Sequence, residues 1–356
     1  FVWDDNPKLR KKFKQKRIIN LKKILTKVDF IVLSPGISLR ITKHKKELKN
    51  FRKKIITDID LLFLNNKKFK SIVVTGTNGK STTCKIITHL LKKNKINASL
   101  IGNIGKPVLD TKITKNSYCV IEASSYQLSH SKFIHPDFAL LLNISNDHID
   151  WHGSKKDYIR SKFKIFSLQE KTDFALINTN YKKFFKINKY KGKLSSLKLD
   201  EYNIIKEKIQ NDYLKSQSNH ENMNFVFTLS KLLKINKKSF IKSMNSFSGL
   251  PHRYEIFLKR SNLTFINDSK ATSFEAAKFA LKSKKNIFWI LGGLPKQKDK
   301  ITFKEFKNNI LKSYIIGKSV NFFRKQLQGE INFTISKFLK IAVANAIKDA
   351  KLLNNQ

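Results

Sequence analysis

The chain has 356 residues and carries 72 Lys and Arg against 26 Asp and Glu, a formal charge of +46. That length suits two or three domains, and a 40% hydrophobic content with 28 Phe excludes a disordered polyelectrolyte. The longest apolar runs, such as Phe138 to Leu142, are strand-sized, far short of the roughly 20 residues of a membrane helix. Two cysteines exclude a disulfide scaffold and fit a reducing, cytoplasmic setting. The opening residues, Phe1-Val2-Trp3-Asp4-Asp5, do not read as a signal peptide.

The positive charge invites a nucleic-acid partner. The excess is lysine, however, spread over every segment and accompanied by many Asn, Ile and Phe. Runs such as Lys11 to Arg17 read as solvated faces. Compositional drift is the preferred account, and no nucleic acid is expected. Roughly one position in five is basic, so a lone lysine at an expected place carries little weight.

Along residues 1–69, Asp29 to Leu33 is an apolar strand ended by the turn Ser34-Pro35-Gly36. Lys43 to Lys54 is charged and helical in character, and Ile55 to Leu64 is apolar. Residues 70–249 are clearer. Ile72-Val73-Val74 reads as a buried strand, and Ser81 to Leu91 has helical spacing through Ile86, Ile87, Leu90 and Leu91. Strands recur at Ala98–Ile101, Tyr118–Ile121, Phe138–Leu142 and Phe174–Ile177, with helical segments between several of them. That alternation predicts a mostly parallel sheet covered by helices. Residues 182–215 are Lys-rich and ambiguous. From residue 250, strands are expected at Leu263–Ile266, Ile287–Leu291 and Tyr314–Ile316. Helices are expected at Ser273–Leu281, Phe303–Leu311 and Ser336–Lys351. Cys84 and Cys119 fall in apolar contexts and read as core.

The sharpest local feature is Thr75-Gly76-Thr77-Asn78-Gly79-Lys80-Ser81-Thr82, between a strand and a helix. Glycines let backbone N–H groups approach phosphates, and a helix N-terminus favours an anion. Lys80 would reach the β- and γ-phosphates of ATP, and Ser81 would offer its hydroxyl to Mg²⁺. The spacing departs from the standard Walker pattern, since Val74 stands five residues before Gly79.

Thr75 to Thr82 resembles the ATP loop of the Mur ligases and folylpolyglutamate synthetases. Three further segments follow in Mur ligase order: Gly102-Asn103-Ile104-Gly105, Glu122 to Leu128 and Asn143 to His148. Ser34 to Ile37, Gly249 to Glu255 and Asn267 to Thr272 are similar to the D-glutamate-adding branch of that family. The resemblance implies an α/β architecture of three domains. Residues 1–69 would bind the UDP end of the substrate. Residues 70–249 would form a central P-loop ATPase domain on a parallel sheet, and 250–356 a Rossmann-like ligase domain. It also implies an ATP-dependent amide ligase joining D-glutamate to UDP-N-acetylmuramoyl-L-alanine through an acyl phosphate, acting as a cytoplasmic monomer. The alternatives are another Mur ligase or a folylpolyglutamate synthetase and, from a different class, a P-loop nucleic-acid-binding ATPase.

Residue by residue, the resemblance makes Glu122 and His148 Mg²⁺ ligands, with two ions expected. It makes Lys162 the lysine that CO₂ carbamylates, with Lys164 as its rival. Asn219 and Asn222 would lie near adenine, although Ser216 and Ser218 replace the family's Gly and His. Arg253 would lie near the phosphates and Asp268 near the ribose. Lys270, Thr272 and Lys296 would face glutamate and acyl phosphate. Ser34, Asn103 and Gln127 would line the nucleotide-sugar substrate. Compared with the family pattern, both ends look truncated, so a partial chain is expected.

Overall fold

The computed structural model describes residues 1–14, 18, 20–65, 69–145, 147–295 and 299–353, with Ser218 described for its backbone alone. The chain divides into two compact units, Phe1–Phe247 and Ser248–Gln356.

In the first unit, β1 (Ile31–Val32) and β2 (Ile55–Ile56) pair in parallel. Leu25, Leu33, Leu48 and Ile55 form a small core around them. The helix Asp58–Leu64 follows. Thr57 caps its N-terminus in a capping box with Asp60, so two first-turn donors are satisfied reciprocally.

The rest of this unit is built on six parallel strands: β3 (Lys70–Thr75), β4 (Ala98–Gly102), β5 (Tyr118–Glu122), β6 (Phe138–Leu141), β7 (Phe174–Ile177) and β8 (Lys193–Ser195). Their order is β4-β5-β3-β6-β7-β8. Central strands are buried on both faces, which is why β3, β5 and β6 are continuous apolar runs rather than alternating ones. The helix Lys80–Lys93 buries Ile86, Ile87, Leu90 and Leu91 against this sheet, the stripe its spacing predicts. The ambiguous stretch 182–215 resolves into the helices Lys182–Ile187, Leu199–Lys206 and Asp212–Lys215, with β8 between the first two. Only a few apolar anchors (Phe185, Tyr202, Ile205, Ile209 and Leu214) are buried there among the lysines, too few to set a readable period.

The chain leaves β3 for the β4 edge, returns to β5, then crosses β3 to reach β6 and beyond. Such a reversal opens a crevice at the carboxyl ends of the strands, where open α/β sheets bind ligands.

The second unit has an antiparallel hairpin, β9 (Glu255–Arg260) with β10 (Leu263–Asn267), and a parallel sheet ordered β11 (Ile287–Gly292), β12 (Ile310–Ile316), β13 (Phe333–Lys337). The helices Phe274–Ser283, Val320–Leu327 and Leu339–Leu353 accompany it. Two expectations fail here. Phe303–Leu311 is not a helix: a short turn at Lys307–Asn309 leads into β12 at Ile310. Phe303 and Phe306 share one core, which imitates helical spacing, but pairing of β12 with both neighbours overrides that local pattern. Ser336 and Lys337 belong to β13, so the last helix begins at Leu339. Among the described residues, no helix is long and apolar enough to cross a membrane.

Candidate nucleotide and ligase site

β3 delivers Thr75 into the glycine loop, and the helix Lys80–Lys93 leaves it. Gly79 has φ +82°, and a Cβ there would lie 2.1 Å from Asn222 Oδ1. Only glycine meets both demands. Gly79 supplies no side-chain cap, so the first-turn amides of a 14-residue helix face the crevice with a positive dipole end, an anion site.

Two ammonium groups converge on the loop. Lys80 Nζ donates to the carbonyls of Gly76 and Thr77, both at 2.8 Å. Lys162 Nζ donates to the same Gly76 carbonyl at 2.7 Å. Lys162 lies on the helix Lys155–Phe163 and is 1% exposed. Burial pushes its amine down to about 7, the charge of Lys80 adds to that, and Asp147 opposes it. The Tyr158 ring lies 4.8 Å from Lys162 Nζ, and its hydroxyl is 2.7 Å from Thr77 Oγ1. Lys164, the rival lysine, turns away and donates to the carbonyls of Ser129 and Ser131.

Glu122 ends β5, at the carboxyl edge next to β3. Its side chain is buried, with Oε1 accepting from Asn103 Nδ2 at 3.0 Å. Oε2 has no hydrogen-bond partner among the described residues. A buried carboxylate oxygen left unpaired is costly, and a cation satisfies it. His148 adopts φ +53°, its ring lies 4.8 Å from the Tyr126 ring, and Nε2 is 3.3 Å from Asp147 Oδ2. Among the described residues, no three His, Cys, Asp or Glu side chains gather into a metal site. The unpaired Glu122 oxygen and the Ser81 hydroxyl fit Mg²⁺, which takes few protein carboxylates and relies on hydroxyls, waters and substrate phosphates.

The sequence did not single out the residues that hold the loop in shape. Asn143, just beyond β6, accepts from Asn78 N through Oδ1 at 2.8 Å and donates from Nδ2 to Asn78 O at 3.3 Å. Thr77 N donates to Asn143 O, and Ser145 N to Thr77 Oγ1. Glu221 then accepts from Asn143 Nδ2 through Oε2 (3.2 Å) and from Asn178 Nδ2 through Oε1 (2.8 Å). The signal available was an Asn directly after a buried strand, paired with a Glu inside the Asn219–Asn222 segment.

Asn219 and Asn222 are buried at the start of the helix Gln217–Leu232. Asn222 Nδ2 donates to Asn219 Oδ1, and Asn219 Nδ2 to Tyr213 O. Gln127 is committed to a helix cap, with Oε1 accepting from Ser124 and Nε2 donating to Asp58 Oδ1. Ser34 is exposed in the turn that ends at Ile37. That turn is held by Trp151 Nε1 to Gly36 O and by Ser38 Oγ to Trp151 O. Ser81 is half-buried and Thr82 buried in the first helical turn. In the second unit, Asp268 Oδ1 accepts from Tyr254 N at 2.9 Å. Burial raises its carboxyl despite that bond and the Arg253 charge. Lys270 N donates to His252 O, and Lys270 and Thr272 are exposed. Lys296 and Asn146 lie outside the described residues.

Comparison with known proteins agrees with this arrangement. The Mur ligase middle domain family matches residues 74–243. A UDP-N-acetylmuramoylalanine–D-glutamate ligase of Rickettsia felis is 36% identical, over 91% of this chain and 76% of that protein. The ligase of the same name from Rickettsia prowazekii is 35% identical, over 98% of this chain and 84% of that protein. The crystal structure of a MurF ligase from Thermotoga maritima in complex with ADP shares the fold. Its TM-score is 0.54 at 15% identity, covering 83% of this chain and 84% of that one. The ordered motifs, the parallel-sheet crevice and these relatives together place the chain in the Mur ligases, and it belongs to their UDP-N-acetylmuramoylalanine–D-glutamate ligase family.

Proposed function

We propose that this chain joins D-glutamate to UDP-N-acetylmuramoyl-L-alanine at the expense of ATP, a step of peptidoglycan precursor synthesis in the cytoplasm. The observation that carries this reading is the pair of lysines on the Gly76 carbonyl inside a glycine loop. Here ATP and the muramoyl-alanine carboxylate are substrates. The carboxylate takes the γ-phosphoryl group, giving an acyl phosphate and ADP. The D-glutamate nitrogen then attacks the acyl carbon, loses a proton, and phosphate leaves.

The residues divide the work. Lys80 exchanges the loop carbonyls for the β- and γ-phosphates, so its charge is spent where negative charge develops. The first-turn amides from Lys80 to Thr82 bind phosphate oxygens. Glu122, Ser81 and His148 hold Mg²⁺, two ions in all, which when bound neutralise phosphate charge. The unpaired Glu122 oxygen supports that assignment. Lys162 has an amine near neutrality at about 7. Its neutral nitrogen can add to CO₂ and lose a proton, replacing a cation with an anionic oxygen ligand. Asn103, next to Glu122, and the Ser34 turn face the nucleotide-sugar substrate. Arg253, Asp268, Lys270 and Thr272 serve nucleotide and glutamate from a C-terminal domain. In this reading the chain comprises a UDP-binding domain at 1–69, an ATPase domain at 70–249 and a ligase domain at 250–356.

The test is phosphate release and product formation with ATP, Mg²⁺, UDP-N-acetylmuramoyl-L-alanine and D-glutamate. Turnover is expected only with all four present, and added RNA or DNA is expected not to stimulate it. Hydrolysis stimulated by nucleic acid and indifferent to the muramoyl substrate would overturn the ligase assignment.

A further inference from the structure

The geometry points to Glu221 as a positioning residue that sets the shape of the phosphate loop, acting through the Asn143 carboxamide rather than by touching nucleotide. The argument is one of donor and acceptor inventory. Asn143 Oδ1 is committed to Asn78 N–H at 2.8 Å. Its amide therefore cannot flip without breaking the clamp, and its NH₂ must face Asn78 O and one further acceptor. Asn178 is committed in the same sense. It caps the turn at Thr179–Tyr181 by accepting from Asn180 N through Oδ1, so its NH₂ also points outward. Two amide NH₂ groups, fixed by two loops at the ends of adjacent parallel strands, converge on Glu221. A carboxylate accepts from both, at 3.2 and 2.8 Å. A glutamine could accept from only one without presenting NH₂ to NH₂.

Glu221 is thereby the keystone between the loops after β6 and β7. Its own helix, Gln217–Leu232, also carries Asn222, whose carboxamide lies where a Cβ on Gly79 would project. One helix thus braces the loop at Asn78 through Asn143 and at Gly79 directly. The backbone of Thr77 and Asn78 is held by Asn143, so a change in Glu221 is transmitted to the amides and carbonyls that bind phosphate. This inference rests on the phosphate-loop reading. Lys80→Ala, which should lose nucleotide binding, tests that reading separately.

The experiment is calorimetric titration of the full chain with ADP and Mg²⁺, alongside its thermal midpoint. Glu221→Leu removes both acceptors at similar volume and should weaken ADP about tenfold, the loss of charge-assisted hydrogen bonds. The affinity for UDP-N-acetylmuramoyl-L-alanine should stay unchanged. Glu221→Gln combined with Asn178→Asp restores a full pattern. Asp at 178 accepts from Asn180 N and from the Gln amide, and the Gln carbonyl accepts from Asn143. That double variant should bind ADP within about twofold of the parent. A Glu221→Leu protein that binds ADP like the parent, while Lys80→Ala does not, overturns the inference and leaves the loop reading standing. So does a double variant as weak as Glu221→Leu. Where Glu221→Leu fails to fold, Glu221→Gln alone against the double variant decides. The single should bind several-fold more weakly than the double, and equal affinities overturn the proposal.

Discussion

Lys162 donates from Nζ to the Gly76 carbonyl at 2.7 Å, linking a helix to the glycine loop across 86 residues of chain. The same carbonyl already accepts from Lys80. Two ammonium groups on one acceptor repel each other. Burial of Lys162 is the main reason its amine falls to about 7, and the Lys80 charge adds to it.

The sign of the resulting pH dependence is fixed. The folded value, about 7, lies below the ordinary lysine value of 10.5. Between them the unfolded chain holds a proton that the folded chain has released. Stability relative to Lys162→Met should therefore rise as pH climbs from about 7 toward 10.5, and level off beyond. Urea midpoints of the two proteins across that range measure it. A constant difference would mean that Lys162 keeps its proton on folding.

In catalysis, Lys162→Ala should be inactive, with partial recovery when short carboxylic acids supply the missing oxygens in the presence of Mg²⁺. Lys162→Arg should remain inactive, because a guanidinium stays cationic and is not carbamylated. An active Lys162→Arg enzyme would refute the carbamate role.

Glu122→Gln keeps the volume and can keep the Asn103 hydrogen bond, but it removes the charge that a cation needs. Turnover should fall at least about a hundredfold, the scale of losing a charge-stabilising group. The Mg²⁺ concentration for half-maximal rate should rise. Unchanged Mg²⁺ dependence would remove Glu122 from the metal site.

Asp60 is fully buried and accepts from Thr57 N, Thr57 Oγ1, Ser131 Oγ, Lys132 N and Phe133 N. Both oxygens face donors only. Asp60→Asn would set its NH₂ against an N–H or O–H and should cost about 3 kcal/mol, as for a broken buried network. Urea unfolding of the full chain measures this. A loss below about 1 kcal/mol would mean that the segment around Ser131 relaxes freely.

Much of this was legible in the residues because the strongest constraints are local. A continuous apolar strand, a glycine turn and a helix stripe announce the strand–loop–helix at 70–93 without any tertiary knowledge. Glu122 was marked by the family resemblance rather than by local pattern, since an acid at a strand end by itself reads as solvent-facing, whereas the structure buries it at the end of β5. The clamp of Asn143, Glu221 and Asn178 was not legible, since it depends on which strand ends lie side by side, and that follows from sheet order. The helix wrongly expected at 303–311 has the same origin: Phe303 and Phe306 keep helical spacing, while the pairing that makes Ile310–Ile316 a central strand is non-local.

Gly79 carries two independent constraints, and they can be separated. Its φ of +82° is a left-handed conformation, costing about 1–2 kcal/mol for any residue with a Cβ. A Cβ would also lie 2.1 Å from Asn222 Oδ1, so the asparagine must move or the loop must open. Gly79→Ala should destabilise the chain by more than the backbone term alone and weaken ADP binding at least about tenfold, as a misplaced loop loses its phosphate contacts. Asn222→Ala removes the clashing atoms but not the backbone penalty. The double variant should therefore be more stable than the sum of the two single losses predicts, by about 1 kcal/mol or more, the range of coupling between touching residues. It should still fall short of Asn222→Ala alone by the left-handed cost. A double-mutant cycle on urea midpoints reads both quantities. Strict additivity would show that Asn222 does not press on Gly79. A double variant equal to Asn222→Ala would show that the positive φ is not required in solution.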